Sequence, residues 1–172
     1  MSGSARVWVG VGGNVGDTLG LCRKVLARLA DASCCFHLRH SLWYRSEPVG
    51  GVDQPWFVNG VVRFETPLSP LELLGMLLEV ESQLGRNRQQ EQRWGPRPMD
   101  LDLLFYRELI IHHADLVVPH PRLHERLFVL RPLADLDPHL RHPILGKTVD
   151  TLLHEMIDRG RVEPISDQAP TL

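Results

Sequence analysis

The chain has 172 residues, 43 % hydrophobic and 23 % charged, with a formal net charge of −2. Those proportions fit one globular domain with enough chain to bury a core, and give no global electrostatic case for nucleic acid or an anionic membrane. Cys22, Cys34 and Cys35 have no metal-ligand spacing and their odd number completes no disulfide framework. No apolar run approaches the ~18 residues of a membrane span, and the N-terminus lacks the charged-then-apolar plan of a signal peptide. A reduced, cytoplasmic, soluble protein is expected.

In chain order, Arg6–Val11 alternates like a strand, and Gly12–Asp17 reads as a tight turn. Asp17 or Thr18 can cap a helix reaching about Leu29, with Leu21, Cys22, Val25, Leu26 and Leu29 as its apolar stripe. His37–Arg45 reads as a second strand, Pro48–Pro55 as a loop and Phe57–Glu65 as a third strand. Ser69-Pro70-Leu71-Glu72 is a capping box with proline at the first helical position. It opens a helix to about Leu84, buried along Leu73, Leu74, Leu77, Leu78 and Val80. Gly85–Pro98 is an arginine-rich connection, Met99–Tyr106 a strand, and Leu109–Ile111 a short hairpin strand followed by a His112-His113 turn. Residues 122–136 favour a helix interrupted at Pro132, and Thr148–Ile157 a last short helix. The domain is placed at residues 1–162, with 163–172 as a loose tail. The order strand, helix, strand, strand, helix, strand is that of an α/β (α+β) ferredoxin-like sandwich, an antiparallel sheet with helices packed on one face.

The chemistry concentrates in Arg93-Trp-Gly-Pro-Arg97-Pro-Met-Asp100-Leu-Asp102. Residues i and i+2 of a strand share a face, roughly 6.5–7 Å apart. Asp100 and Asp102 therefore present two carboxylates side by side, a hard-oxygen pair suited to Mg²⁺ with phosphate completing its shell. Arg86, Arg88, Arg93 and Arg97 crowd the preceding loop, with Glu91 as the only acid among them. Arginine offers a planar fork of donors matched to phosphate oxygens. A second polar cluster follows Pro119: His120 there is either a phosphate donor or a capping histidine, and Arg122 and Arg126 recur at helical spacing. Phe57 and Asn59 share a strand face, and a ring beside a carboxamide suits a flat heterocycle. Gly146-Lys147-Thr148 resembles the end of a P-loop, but Arg141 stands where that motif needs glycine.

These pieces together resemble the 6-hydroxymethyl-7,8-dihydropterin pyrophosphokinase family over nearly the whole chain. The matching runs are Gly12–Asp17, Tyr44–Pro48, Gln54–Asn59, Arg93–Asp102 and Pro119–Leu133. The resemblance implies the ferredoxin-like fold and transfer of pyrophosphate from ATP to the pterin hydroxymethyl oxygen, releasing AMP, in folate biosynthesis. It implies Asp100 and Asp102 as ligands of two Mg²⁺ ions. Arg86 and Arg97 match residues that hold phosphates or close over the site. Glu81, Arg88, Trp94, His120 and Arg126 match the nucleotide side. Phe57 and Phe128 match two rings that sandwich the pterin, Asn59 the amide reading its edge, and Ser46 and Val49 the rest of that side. Loops 46–54 and 85–97 then serve as lids. Ser46-Glu47 stands where many relatives have Thr-Pro, Gln89 where some have lysine, and lid 86–93 reads one residue longer. ATP and the reduced pterin are the expected partners, with no nucleic acid or membrane, and a monomer is expected.

Two rivals come from other classes. A ferredoxin-like module that binds a small ligand without turnover needs no paired carboxylates. A single-strand RNA binder on this fold uses sheet-face aromatics, against which stand the near-neutral charge and 6 % aromatic content.

Overall fold

The structure is a computed structural model describing residues 3–51, 53–91, 95–156 and 160–166. Strand β1 (Ala5–Gly13) leads into helix α1 (Thr18–Asp31), whose cap is Asp17, its side chain accepting from the Gly20 amide. Strands β2 (Phe36–His40), β3 (Tyr44–Ser46) and β4 (Phe57–Thr66) follow, then α2 (Pro70–Gln83) with the complete Ser69/Glu72 capping box. Next come β5 (Asp100–Tyr106), the short hairpin β6 (Ile111–His112) and β7 (Val117–Val118), a 3₁₀ turn at Leu123–Glu125, α3 (Leu127–Leu136), α4 (Val149–His154) and β8 (Val162–Pro164). The main sheet runs β5-β1-β4-β3-β8, with β2 also on β4, and every pairing is antiparallel.

Alternation along the strands divides two cores. Val7, Val9 and Val11 of β1, Val62 and Phe64 of β4, and Leu101 and Leu103 of β5 pack with Cys22, Val25 and Leu29 of α1 and Leu73 and Leu77 of α2. Trp8, Val61, Leu104 and Phe105 face the other way, against Leu130 and Leu133 of α3 and Val149 and Leu152 of α4. Leu104 and Phe105 share that side because β5 slips register against β1 between Trp8 and Val9, pairing Phe105 with Trp8 and Leu103 with Val9. Helices thus cover one face fully and half of the second, where the sequence order suggested one face only. The uncovered half carries Gly10, Gly12, Phe57, Asn59, Asp100 and Asp102.

Four local expectations are corrected. The single strand His37–Arg45 is two, because the chain crosses from one half of β4 to the other at Ser41–Trp43. Ser41 exchanges backbone and hydroxyl hydrogen bonds with Val61 there, and the Trp43 ring lies where a Cβ on Gly60 would be, 2.5 Å away. The helix of 122–136 breaks at Arg126 rather than Pro132; Arg126 is extended (φ −116°, ψ 102°) and α3 continues through the proline. The hairpin strand begins at Ile111, and His112 lies within it, the turn falling at 113–116. The domain boundary at 162 falls inside a strand: Glu163 and Pro164 pair with β3, and the Ile165 amide donates to the Trp43 carbonyl.

Gly146-Lys147-Thr148 is the entry to α4. Gly146 has φ +66°, Lys147 pairs with Glu155 at 2.8 Å, and Thr148 caps the helix through the Thr151 amide. Among the described residues, no helix is long and apolar enough to cross a membrane.

Candidate active site

The uncovered half-face is the floor of a cavity of about 800 Å³. Gly12 sits between Asp100 on one neighbouring strand and Asn59 on the other, and Gly10 between Asp102 and Val61. Two glycines on the central strand keep the floor low between the carboxylates and the carboxamide. A Cβ on Gly12 would lie 2.7 Å from the Asn59 side-chain oxygen, and one on Gly13 would lie 2.2 Å from the Pro98 carbonyl. The glycine motif read as a tight turn thus serves close approach by neighbouring strands and loops.

Asn14, read as part of that turn, ties the two loops over the floor together. It is buried, its side-chain oxygen accepts from the Arg97 amide (3.0 Å), and its own amide donates to the Arg97 carbonyl (2.9 Å). Its Nδ2 reaches Gln54 (3.0 Å) and the Pro55 carbonyl (2.9 Å) on the other loop. The signal lay in the polar residue directly after a glycine pair, where a side chain must stay under the backbone.

One half of the cavity is basic around the carboxylates. Arg86, its side chain 5 % exposed, donates to Asp100 Oδ1 (2.6 Å), Glu81 Oε1 (2.9 Å) and Glu91 (3.0 Å). Arg97 Nη1 lies 3.5 Å from Asp100 Oδ2, its guanidinium is 5.9 Å from the Phe57 ring centre, and its buried Nε has no hydrogen-bond partner among the described residues. Across the site, Asp102 Oδ2 is 4.0 Å from His120 Nε2 and 3.9 Å from Arg126 Nη1. Burial, and then the neighbouring Asp100 charge, push the Asp102 carboxyl up to about 7 against the pull of Arg126. Burial and then Arg126 push His120 down to about 4, so its ring is neutral at pH 7. His120 Nδ1 accepts from the Arg122 amide, which leaves the ring proton on Nε2.

Glu81 lies beneath the floor. It is 1 % exposed, on the same α2 stripe as Leu73 and Leu77, and takes hydrogen bonds from Arg86, Arg88 (2.8 Å) and the Leu101 amide (2.7 Å). Burial raises its pKa despite these donors. Leu101 is on the edge strand β5, so Glu81 also satisfies an amide that no neighbouring strand would reach. The resemblance put Glu81 on the nucleotide; here its carboxylate is occupied by the chain itself and reaches the cavity through Arg86 and Arg88.

The other half is aromatic and amide. Phe57 and Phe128 line it with Val49, which is 59 % exposed, and Asn59 Nδ2 donates to the buried Ser46 hydroxyl at 2.7 Å. Arg126 lies 5.7 Å from the Phe128 ring centre, linking the two halves. Of the residues singled out from sequence, all line this cavity except Glu81 below it and Trp94, which falls outside the described residues together with Arg93. Glu91, Gln54, Glu47 and Arg122 also line it and had been given no role.

The donor set around Asp100 and Asp102 fits a hard divalent cation. Mg²⁺ takes one or two carboxylates and fills its shell with water and phosphate oxygens. Burial and the neighbouring Asp100 charge disfavour the charged form of Asp102, and a divalent cation bound there would offset both. Among the described residues no three His, Cys, Asp or Glu side chains form a closed metal cage.

Comparison with known proteins identifies the family and the fold. The sequence model of the family described as 7,8-dihydro-6-hydroxymethylpterin-pyrophosphokinase (HPPK) matches residues 8–138. A protein of Synechocystis sp. named 2-amino-4-hydroxy-6-hydroxymethyldihydropteridine pyrophosphokinase is 42 % identical over 158 residues, covering 92 % of this chain and 79 % of its own. A protein of the same name from Methylorubrum extorquens is 39 % identical over 160 residues, covering 92 % and 99 %. The fold is similar to a Plasmodium falciparum HPPK-DHPS crystal structure, with a TM-score of 0.73 at 15 % identity; 92 % of this chain matches 46 % of that one. The chain belongs to the 7,8-dihydro-6-hydroxymethylpterin-pyrophosphokinase family.

Proposed function

We propose that this cavity carries the family's reaction, transfer of a pyrophosphoryl group from ATP to the hydroxymethyl oxygen of 6-hydroxymethyl-7,8-dihydropterin, as in folate synthesis. The observation that carries the reading is one floor shared by two unlike halves. A carboxylate pair among arginines faces Phe57, Asn59 and Phe128 across the bare backbone of Gly10 and Gly12. A bond forms between the hydroxymethyl oxygen and the β-phosphorus, the bridge to the α-phosphate breaks, the hydroxyl gives up its proton, and AMP leaves.

In this reading Asp100 and Asp102 hold two Mg²⁺ ions, which when bound neutralise triphosphate charge and align it for displacement. Arg86, Arg88, Arg97, Arg126 and the neutral His120 donate to phosphate oxygens. Phe57 and Phe128 clasp the pterin ring, Asn59 and Ser46 read its polar edge, and Val49 covers it. Arg86 is hydrogen-bonded to Asp100 here and would have to give up that contact for Asp100 to hold a metal ion. Positioning and charge neutralisation supply most of the rate, since phosphoryl chemistry needs little covalent help from protein. Use of ATP and three free thiols support a cytoplasmic setting.

The test is to incubate the protein with Mg-ATP and the reduced pterin and identify the nucleotide product. AMP is expected. ADP means ordinary phosphoryl transfer and overturns the reading, and no nucleotide turnover with retained pterin binding favours the binding-module alternative.

A further inference from the structure

We propose that the C-terminal strand β8 is a brace for the pterin half of the site, acting through Trp56. The proposal rests on the assignment of Phe57, Asn59 and Ser46 to the pterin side. Residues 161–165 lie outside the span 8–138 matched by the family model.

The first observation is backbone pairing. Val162 pairs with Ser46, Glu163 with Arg45 and Pro164 with Tyr44, and the Glu47 amide donates to the Arg161 carbonyl at 3.3 Å. Without β8, β3 would be a three-residue edge strand, too short to hold the Ser46 hydroxyl under Asn59 by itself. The second observation is on the reverse face of the sheet. Trp56 immediately precedes Phe57, and alternation along extended chain sends the two rings to opposite faces. Arg45 and Arg161 each lie 5.6 Å from the Trp56 ring centre. Glu163 receives both guanidinium groups, Arg45 at 2.7 Å and Arg161 at 2.9 Å. One carboxylate therefore gathers two cations against one indole, directly behind the ring that faces the cavity.

Neither set is strong alone. The Arg45 and Arg161 side chains are 60 % and 67 % exposed, and exposed ion pairs contribute little to global stability. The brace is thus suited to fixing the angle at which Phe57 enters the cavity, leaving the fold intact when it is removed. It is a positioning device, and neither Trp56 nor Glu163 touches substrate.

The experiment measures pterin KM, kcat, MgATP Kd and melting temperature for Glu163→Ala, Trp56→Ala and Trp56→Phe in the full chain. For the two alanine variants, pterin KM should rise about threefold to tenfold while kcat and MgATP Kd stay within about twofold, the pattern of lost ground-state positioning. Trp56→Phe keeps a ring between the guanidinium groups and should recover most of the loss. Unchanged pterin KM in both alanine variants overturns the brace, as does an equal loss for pterin and MgATP with a lowered melting temperature. Phe57→Ala and Asn59→Ala are measured in parallel. If they leave pterin affinity unchanged, the site assignment itself fails; if they weaken it while Glu163→Ala and Trp56→Ala do not, only the brace fails.

Discussion

Replacing Glu81 with alanine should cost more stability than any other single change in the basic half of the site. The Glu81–Arg86 pair is buried on both sides, the side chains 1 % and 5 % exposed. Removing one partner of a buried pair costs about 3–5 kcal/mol. Arg86 keeps Glu91 and Asp100 as partners, so the lower end, about 3 kcal/mol, applies. The Leu101 amide on the edge strand also loses its acceptor, adding about 1–3 kcal/mol. Arg88 is 53 % exposed, and its pair adds no more than about 1 kcal/mol. The sum is about 4–7 kcal/mol, a large share of the roughly 5–15 kcal/mol that holds a domain together. At about 2–4 °C per kcal/mol for a chain this long, the melting temperature should fall by roughly 8–28 °C. Glu81→Gln keeps an oxygen for the Leu101 amide and should lose only about 1.5–3 kcal/mol. Urea unfolding followed by far-UV circular dichroism reads both. A loss under about 1 kcal/mol for Glu81→Ala, with an unchanged urea dependence, would refute the view that this carboxylate ties loop 85–91 to β5.

The remaining expectations are shorter. Asp100→Ala and Asp102→Ala should each lower turnover with Mg-ATP by at least about a hundredfold while the protein stays folded; near-normal turnover in either defeats the paired-ligand assignment. Phe128→Ala should weaken pterin far more than nucleotide in calorimetric titration, because its ring belongs to the aromatic half; equal losses would place it elsewhere. Burial pushes the Cys22 and Cys35 thiols up to about 12, so a thiol reagent at pH 8 should find only the half-buried Cys34 in the native protein and all three cysteines after denaturation. His142 packs against Phe105 and His124, and its pKa is lowered by burial and then by His124. The unfolded chain binds that proton more readily, so this contribution is complete above pH ~6.5 and is lost as pH falls below it. Chemical denaturation at pH 7 and pH 5, with and without His142→Gln, measures it, and an identical pH dependence in the two proteins excludes this source.

Much of this site was legible because its parts are local. The i, i+2 spacing of Asp100 and Asp102, and of Phe57 and Asn59, follows from strand geometry alone, and the capping box of α2 is a four-residue signal. The family resemblance then supplied what spacing could not, by joining the two pairs and Phe128 in one site. Other features depend on distant partners. Glu81 sits on an apolar stripe, but only the packed structure puts Arg86, Arg88 and the Leu101 amide around it. Asn14 in isolation is a turn residue; its role as a clamp requires two loops about 40 and 80 positions away, a separation over which no local propensity acts. The division of His37–Arg45 into two strands follows from Trp43 packing on Gly60, and the placement of Glu163 in the sheet from pairing with β3. The carboxylate strand, its arginines and the ring-and-amide face follow from residue order over short stretches of chain. The tertiary structure decided what lies beneath and behind them, because burial and cross-strand register exist only once the sheet has closed.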